Sequence, residues 1–80
     1  MEEFIWIDWN LAKIDNHALS EAEVEFAWRN GRVVRTGDHP ENGPFTETEG
    51  ECPSGRTIRI VWRYDVDRDG ETKVFVITAY

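Results

Sequence analysis

The stretch Leu11–Trp28, LAKIDNHALSEAEVEFAW, decides how this chain begins to fold. In its middle, Ser20-Glu21-Ala22-Glu23 has the form of a capping box, in which the Ser20 hydroxyl accepts from the Glu23 amide and the Glu23 carboxylate returns to the Ser20 amide. Leu19 and Val24 flank the box where a hydrophobic staple needs apolar groups. Glu21, Glu23 and Glu25 then lie early in a helix and Arg29 late, which suits the helix dipole, and Asn30-Gly31 supplies a stop. Upstream, Asp8 reads as the N-cap of a shorter helix with Leu11, Ile14 and Ala18 at helical spacing, turned by His17-Ala18-Leu19. Phe4-Ile5-Trp6-Ile7 before it is β-branched and aromatic and predicts a short strand.

After Gly31 the pattern changes to strands. Arg32 to Thr36 predicts a short one, and Gly37 to Pro44 gathers enough turn formers to predict a mobile loop. Phe45 to Glu51 predicts an edge strand blunted by Glu47, Glu49 and Glu51, closed by a turn at Cys52-Pro53-Ser54-Gly55. From Arg56 the alternation is clear: Ile58, Ile60, Trp62, Tyr64 and Val66 share one face, and Thr57, Arg59, Val61, Arg63 and Asp65 the other. Lys73 to Tyr80 is apolar on both faces, as a central strand is. The expected fold is α+β: two short N-terminal helices packed on an antiparallel sheet of about four strands, in the order β-α-α-β-β-β-β.

Bulk composition bounds the function. Eighty residues, 40% of them hydrophobic and 12% aromatic, make one domain, residues 1–80, with a single core. Sixteen acidic against nine basic residues give a net charge of -7, which repels phosphate backbones and favours basic partners. The lone Cys52 cannot form an internal disulfide, and Met1-Glu2-Glu3-Phe4 does not open an export signal. No apolar run approaches the ~20 residues of a membrane span, so the expectation is a cytoplasmic protein without membrane contact.

Asp65-Val66-Asp67-Arg68-Asp69-Gly70 matches the start of an EF-hand loop, but calcium needs a bidentate carboxylate at the twelfth position, where Val76 stands. A hairpin closed by Asp69-Gly70 explains the same letters. His17, His39 and Cys52 have no ligand spacing, and nothing basic beside Cys52 would activate its thiol, so no metal or cofactor is expected. Trp28 and Trp62 sit on apolar stripes and read as core, whereas Trp9, at a first helical turn, reads as partly exposed. Arg59 and Arg63 share a strand face, Arg56 lies near its start, and Arg32 and Arg35 occupy a strand that could neighbour it. Such guanidinium groups could clamp phosphate, or pair across strands with Glu47, Glu49 and Glu51.

Trp6-Ile7-Asp8-Trp9, followed by Lys13, His17 and Ser20-Glu21-Ala22-Glu23-Val24, resembles the N-terminal signature of the BrnT family, small toxins of bacterial toxin-antitoxin pairs. Gly55-Arg56 before an apolar strand resembles that family's G-R-x-L/I-x-V-V-Y/F segment, and Val76-Ile77-Thr78-Ala79 its closing I-I-S/T-A-R. With Tyr80 the ending also resembles that of a related group of small domains. The resemblance implies a RelE-like ribonuclease fold that cleaves messenger RNA without metal or cofactor and is silenced by a cognate antitoxin. On that reading Arg59, Arg63 and Tyr80 are catalytic, Arg56, Arg35 and Trp9 bind RNA, and His17 or Tyr64 assists proton transfer or stacking. Phe75 and Tyr80 stand where the family carries arginine, which implies weak or lost activity. The other reading is a non-enzymatic domain whose acidic rim, Glu47, Glu49, Glu51 and the Asp65–Asp69 turn, meets a basic protein.

Overall fold

The computed structural model describes residues 2–41 and 43–80; Met1, in the segment weighed as an export signal, and Asn42, within the expected loop, lie outside the described residues. The elements run β1 (Phe4–Ile5), α1 (Asp8–Asp15), α2 (Glu21–Arg29), β2 (Arg32–His39), β3 (Gly43–Glu51), β4 (Thr57–Val66) and β5 (Thr72–Ala79). The class is α+β, as expected, with five strands in the order β1-β5-β4-β3-β2. The sheet is mixed rather than wholly antiparallel, because β1 runs parallel to β5.

The capping box forms as read: Glu23 N–H donates to Ser20 Oγ at 3.2 Å, and Ser20 N–H donates to Glu23 Oε1 at 3.0 Å. The first helix differs from expectation. Asp8 is its first residue, and the extended Ile7 precedes it with no side-chain acceptor of its own. Asn10 takes over instead, its Oδ1 accepting from Ile7 N–H at 2.8 Å. The helix ends before Ala18, whose φ of +56° puts it in the left-handed region. Leu19 N–H then reaches back to the Ile14 carbonyl at 3.1 Å and lets the Leu19 side chain enter the core.

Two strands also depart from expectation. Where a mobile loop is expected from Gly37 to Pro44, β2 and β3 instead pair as far as His39 and Gly43. Pro40 and Glu41 begin the turn after β2, and Gly43 opens β3 with a φ of +72°. That pairing makes β3 internal, so β2 is the edge strand.

The helices cover one sheet face. Ile14, Leu19, Val24 and Ala27 join Ile58, Ile60, Trp62, Val74, Val76 and Ala79 in one buried cluster, with Phe4, Trp6, Leu11 and Trp28 packed against it. Helix α2 lies so close to β3 that a Cβ added at Gly50 would sit 2.0 Å from the Ala27 carbonyl oxygen. Trp28 and Trp62 meet edge to face at 5.2 Å, confirming both as packing residues. Tyr64 and Val66 continue the apolar row of β4 but are exposed.

At the far edge β1 pairs with only Val74 and Phe75 of β5. Asn10, fully buried, closes what β1 leaves open: its Nδ2 donates to the Ile5 carbonyl at 2.8 Å and to the Val76 carbonyl at 3.1 Å. Strand β5 is buried on both faces from Val74 to Ile77, as its composition predicts, although it neighbours the short β1. Among the described residues no helix is long and apolar enough to cross a membrane.

Candidate functional site

The face of the sheet opposite the helix-packed core row carries the charged side chains, set in rows by the register. Arg32 pairs with Glu49, Glu49 with Arg59, and Arg59 exchanges both backbone hydrogen bonds with Tyr80. One row along, Arg35 pairs with Glu47, Glu47 with Val61, and Val61 with Thr78. Residues opposite one another across strands share a face. Five of the residues singled out in the sequence, Arg32, Arg35, Arg59, Glu47 and Glu49, therefore meet in one patch with Tyr80 at its border.

Within the patch the arginines are already paired. Glu47, only 2% exposed, accepts from Arg35 Nη2 at 3.0 Å and from Arg59 Nη1 at 2.6 Å. Arg59 Nε also donates to Glu49 at 3.0 Å, and Arg32 lies 3.5 Å from the same carboxylate. The hydrogen bond from Arg59 holds the Glu47 carboxyl below its ordinary value, against the opposing effect of burial and with further help from Arg35. Arg59 is in turn raised, chiefly by its hydrogen bond to Glu47. Cross-strand pairing, rather than a bare guanidinium cluster, is what this face displays. It also removes Glu47 and Glu49 from the expected acidic rim, since both carboxylates are turned onto arginine.

A cleft of about 260 Å³ opens beside the patch, with Arg35, Glu47, Phe45, His39 and Tyr80 among its walls. The Arg35 guanidinium lies 5.5 Å from the Phe45 ring centre. His39 Nδ1 accepts from the Glu41 amide at 3.1 Å. Neither His39 nor Phe45 was legible as a site residue, because their grouping depends on the hairpin that replaces the expected loop. Tyr80 is half exposed, with its ring 6.2 Å from that of His17.

The other expected site residues lie apart. Arg63 is stacked over Phe75 at 4.7 Å and paired with Asp65 at 3.2 Å. Trp9 is indeed partly exposed, but it stacks against Phe75 at 5.9 Å, with Lys13 5.2 Å from its own ring centre. Phe75 thus holds a cation and an indole together where the resemblance would put an arginine. Arg56 follows the Cys52–Gly55 turn, its carbonyl accepting from Cys52 N–H at 2.8 Å, and lines no part of the cleft. Tyr64 lies on the opposite face, edge-on to Trp62 at 5.0 Å.

The Asp65–Gly70 turn is built for itself. Asp67 Oδ1 accepts from the Asp69 and Glu71 amides, both at 2.9 Å, and Asp67 Oδ2 meets Lys73 Nζ at 2.5 Å. Lys73 and the turn amides lower the Asp67 carboxyl, and Gly70 provides the positive φ of +83°. Among the described residues no group of three or more His, Cys, Asp or Glu side chains could hold a metal ion. Cys52 is buried in the core cluster, and that burial pushes its thiol up, away from the reactive thiolate. Comparison of the chain with protein families, curated proteins and solved structures finds no match in any of the three.

Proposed function

We propose that this chain is a non-enzymatic protein-interaction domain that engages its partner through the open edge of its sheet. The observation that carries the reading is β2 itself: eight residues long, paired on one side only, with Val33 59% exposed beside two arginines. An edge of that length offers a row of backbone donors and acceptors to another chain, and proteins commonly cover or blunt such edges when they are not used. The pairing of Arg35 and Arg59 with Glu47 supports the same reading, because a phosphate clamp would have to displace a carboxylate that is nearly enclosed. A photo-crosslinking side chain placed at Val33 should capture a defined partner in the native cell, while the same group at Glu21, on the helical side, should not. Equal capture at both positions, or at neither, removes the proposal.

A second reading stays in play because the cleft assembles Arg35, His39 and Tyr80, residue types that RNA cleavage uses. This is the messenger-RNA ribonuclease of a BrnT-like toxin, with an antitoxin as partner. It requires growth arrest on expression that Arg35→Gln or Tyr80→Phe relieves. Growth at the normal rate with RNA left intact excludes it.

A further inference from the structure

The open edge has a local chemistry opposite in sign to the whole chain. Charges alternate across the sheet in two adjoining rows, Arg32 to Glu49 to Arg59, and Arg35 to Glu47. On the β2 side the alternation stops at a cation in both. The Arg32 and Arg35 side chains are 79% and 63% exposed, and each shares its only described carboxylate with Arg59. On the opposite face at the same edge, Val33 stands in register with Thr48 and projects from the sheet with 59% of its surface exposed.

We infer that β2 accepts an extended segment of another protein in which carboxylates, two residues apart, face Arg32 and Arg35, and an apolar residue between them covers Val33. This rests on the interaction reading above and names the chemistry of the partner. The spacing is shown inside the molecule: a register shift between Val33 and Arg35 places those arginines opposite Glu49 and Glu47, which are two residues apart in β3 with Thr48 between them. A strand on the other side of β2 that repeats this acid-apolar-acid pattern continues both rows by one charge of the correct sign. Backbone hydrogen bonds supply the attachment and the side chains the selection.

Two other occupants fit less well. A second copy pairing β2 with β2 has no carboxylate to offer, because that face of β2 carries only Arg32, Arg35, Gly37 and His39, while Asp38 pairs with Pro44 on the other. Both copies would also bring a net charge of -7. A nucleic-acid strand could satisfy the arginines but leaves Val33 and the backbone edge uncovered.

The test uses the full chain, isotope-labelled, titrated with a capped peptide about nine residues long that alternates glutamate with valine and threonine. Its twin carries lysine for glutamate, and a third peptide carries a central proline. The glutamate peptide should shift the amides of residues 32–39, the lysine twin should bind at least about tenfold more weakly, and the proline peptide should lose binding. The double variant Arg32→Gln, Arg35→Gln should weaken the glutamate peptide about tenfold while the thermal melt confirms an intact fold. Tight binding of the lysine twin at residues 32–39 overturns the inference and leaves the interaction reading standing. Glutamate-peptide shifts confined to the His39 and Tyr80 cleft, or an oligouridylate that outcompetes the peptide at β2, overturn both.

Discussion

Arg59 reaches Glu47 diagonally: its register partner across β3 and β4 is Glu49, yet its Nη1 donates to Glu47 at 2.6 Å, one row away. The diagonal lets one guanidinium serve two carboxylates and gives the nearly enclosed Glu47 a second cation beside Arg35. Glu47→Gln should therefore destabilise the fold by about 2 kcal/mol at neutral pH, as urea unfolding would register. The folded carboxyl lies below its ordinary 4.5, so its contribution is present above that value and fades as the pH falls through the lower, folded one. The gap between the variant and the parent should accordingly narrow in acid. A gap that widens there would mean that Glu47 is not held as an anion.

Asn10 should matter as much as an apolar core residue. Asn10→Ala strands the Ile5 and Val76 carbonyls and the Ile7 amide, three groups it satisfies at 2.8 to 3.1 Å. A loss of about 3 kcal/mol is expected, with faster hydrogen exchange at Ile7 and through α1. An unchanged exchange pattern would show that water replaces the amide at no cost.

Gly50→Ala tests the contact between helix and sheet. The added methyl carbon would meet the Ala27 carbonyl oxygen at 2.0 Å and its carbon at 2.7 Å, backbone that cannot step aside without moving α2. The loss should reach about 3 kcal/mol or more, visible as a lowered melting temperature. Gly55→Ala, at φ +92° in open space, should cost only about 1 kcal/mol and serves as the comparison.

Calcium should leave the amide resonances of Asp65 to Gly70 in place. Asp67 already receives two backbone amides and the Lys73 ammonium, so the ion would have to break contacts that close the hairpin. Saturable shifts at millimolar calcium would refute this account of the turn. In the same preparation Cys52 should resist a thiol reagent until the protein unfolds, since its thiol is both buried and raised.

What could be read in the sequence was whatever depends on near neighbours. The Ser20–Glu23 box is a four-residue pattern and formed as written, and the β4 alternation correctly sent Ile58, Ile60 and Trp62 to the core and Arg59 and Arg63 to the other face. What escaped was register. Glu47 and Glu49 look like solvent-facing guards of an edge until β2 is laid beside them, and Gly37 to Pro44 looks like a loose loop until His39 is seen opposite Gly43. Asn10 escaped for a related reason, since an amide early in a helix is ordinarily wet and only the shortness of β1 draws it inward. The cleft was hidden in turn, because two of its walls, His39 and Phe45, belong to the hairpin that the turn-forming residues disguised.

The Asn10 clasp has a consequence for assembly. It occupies the Ile5 and Val76 carbonyls at the β1 margin of the sheet, whereas among the described residues nothing pairs with the outer side of β2. The two margins are therefore unequal, which directs strand addition to the β2 side.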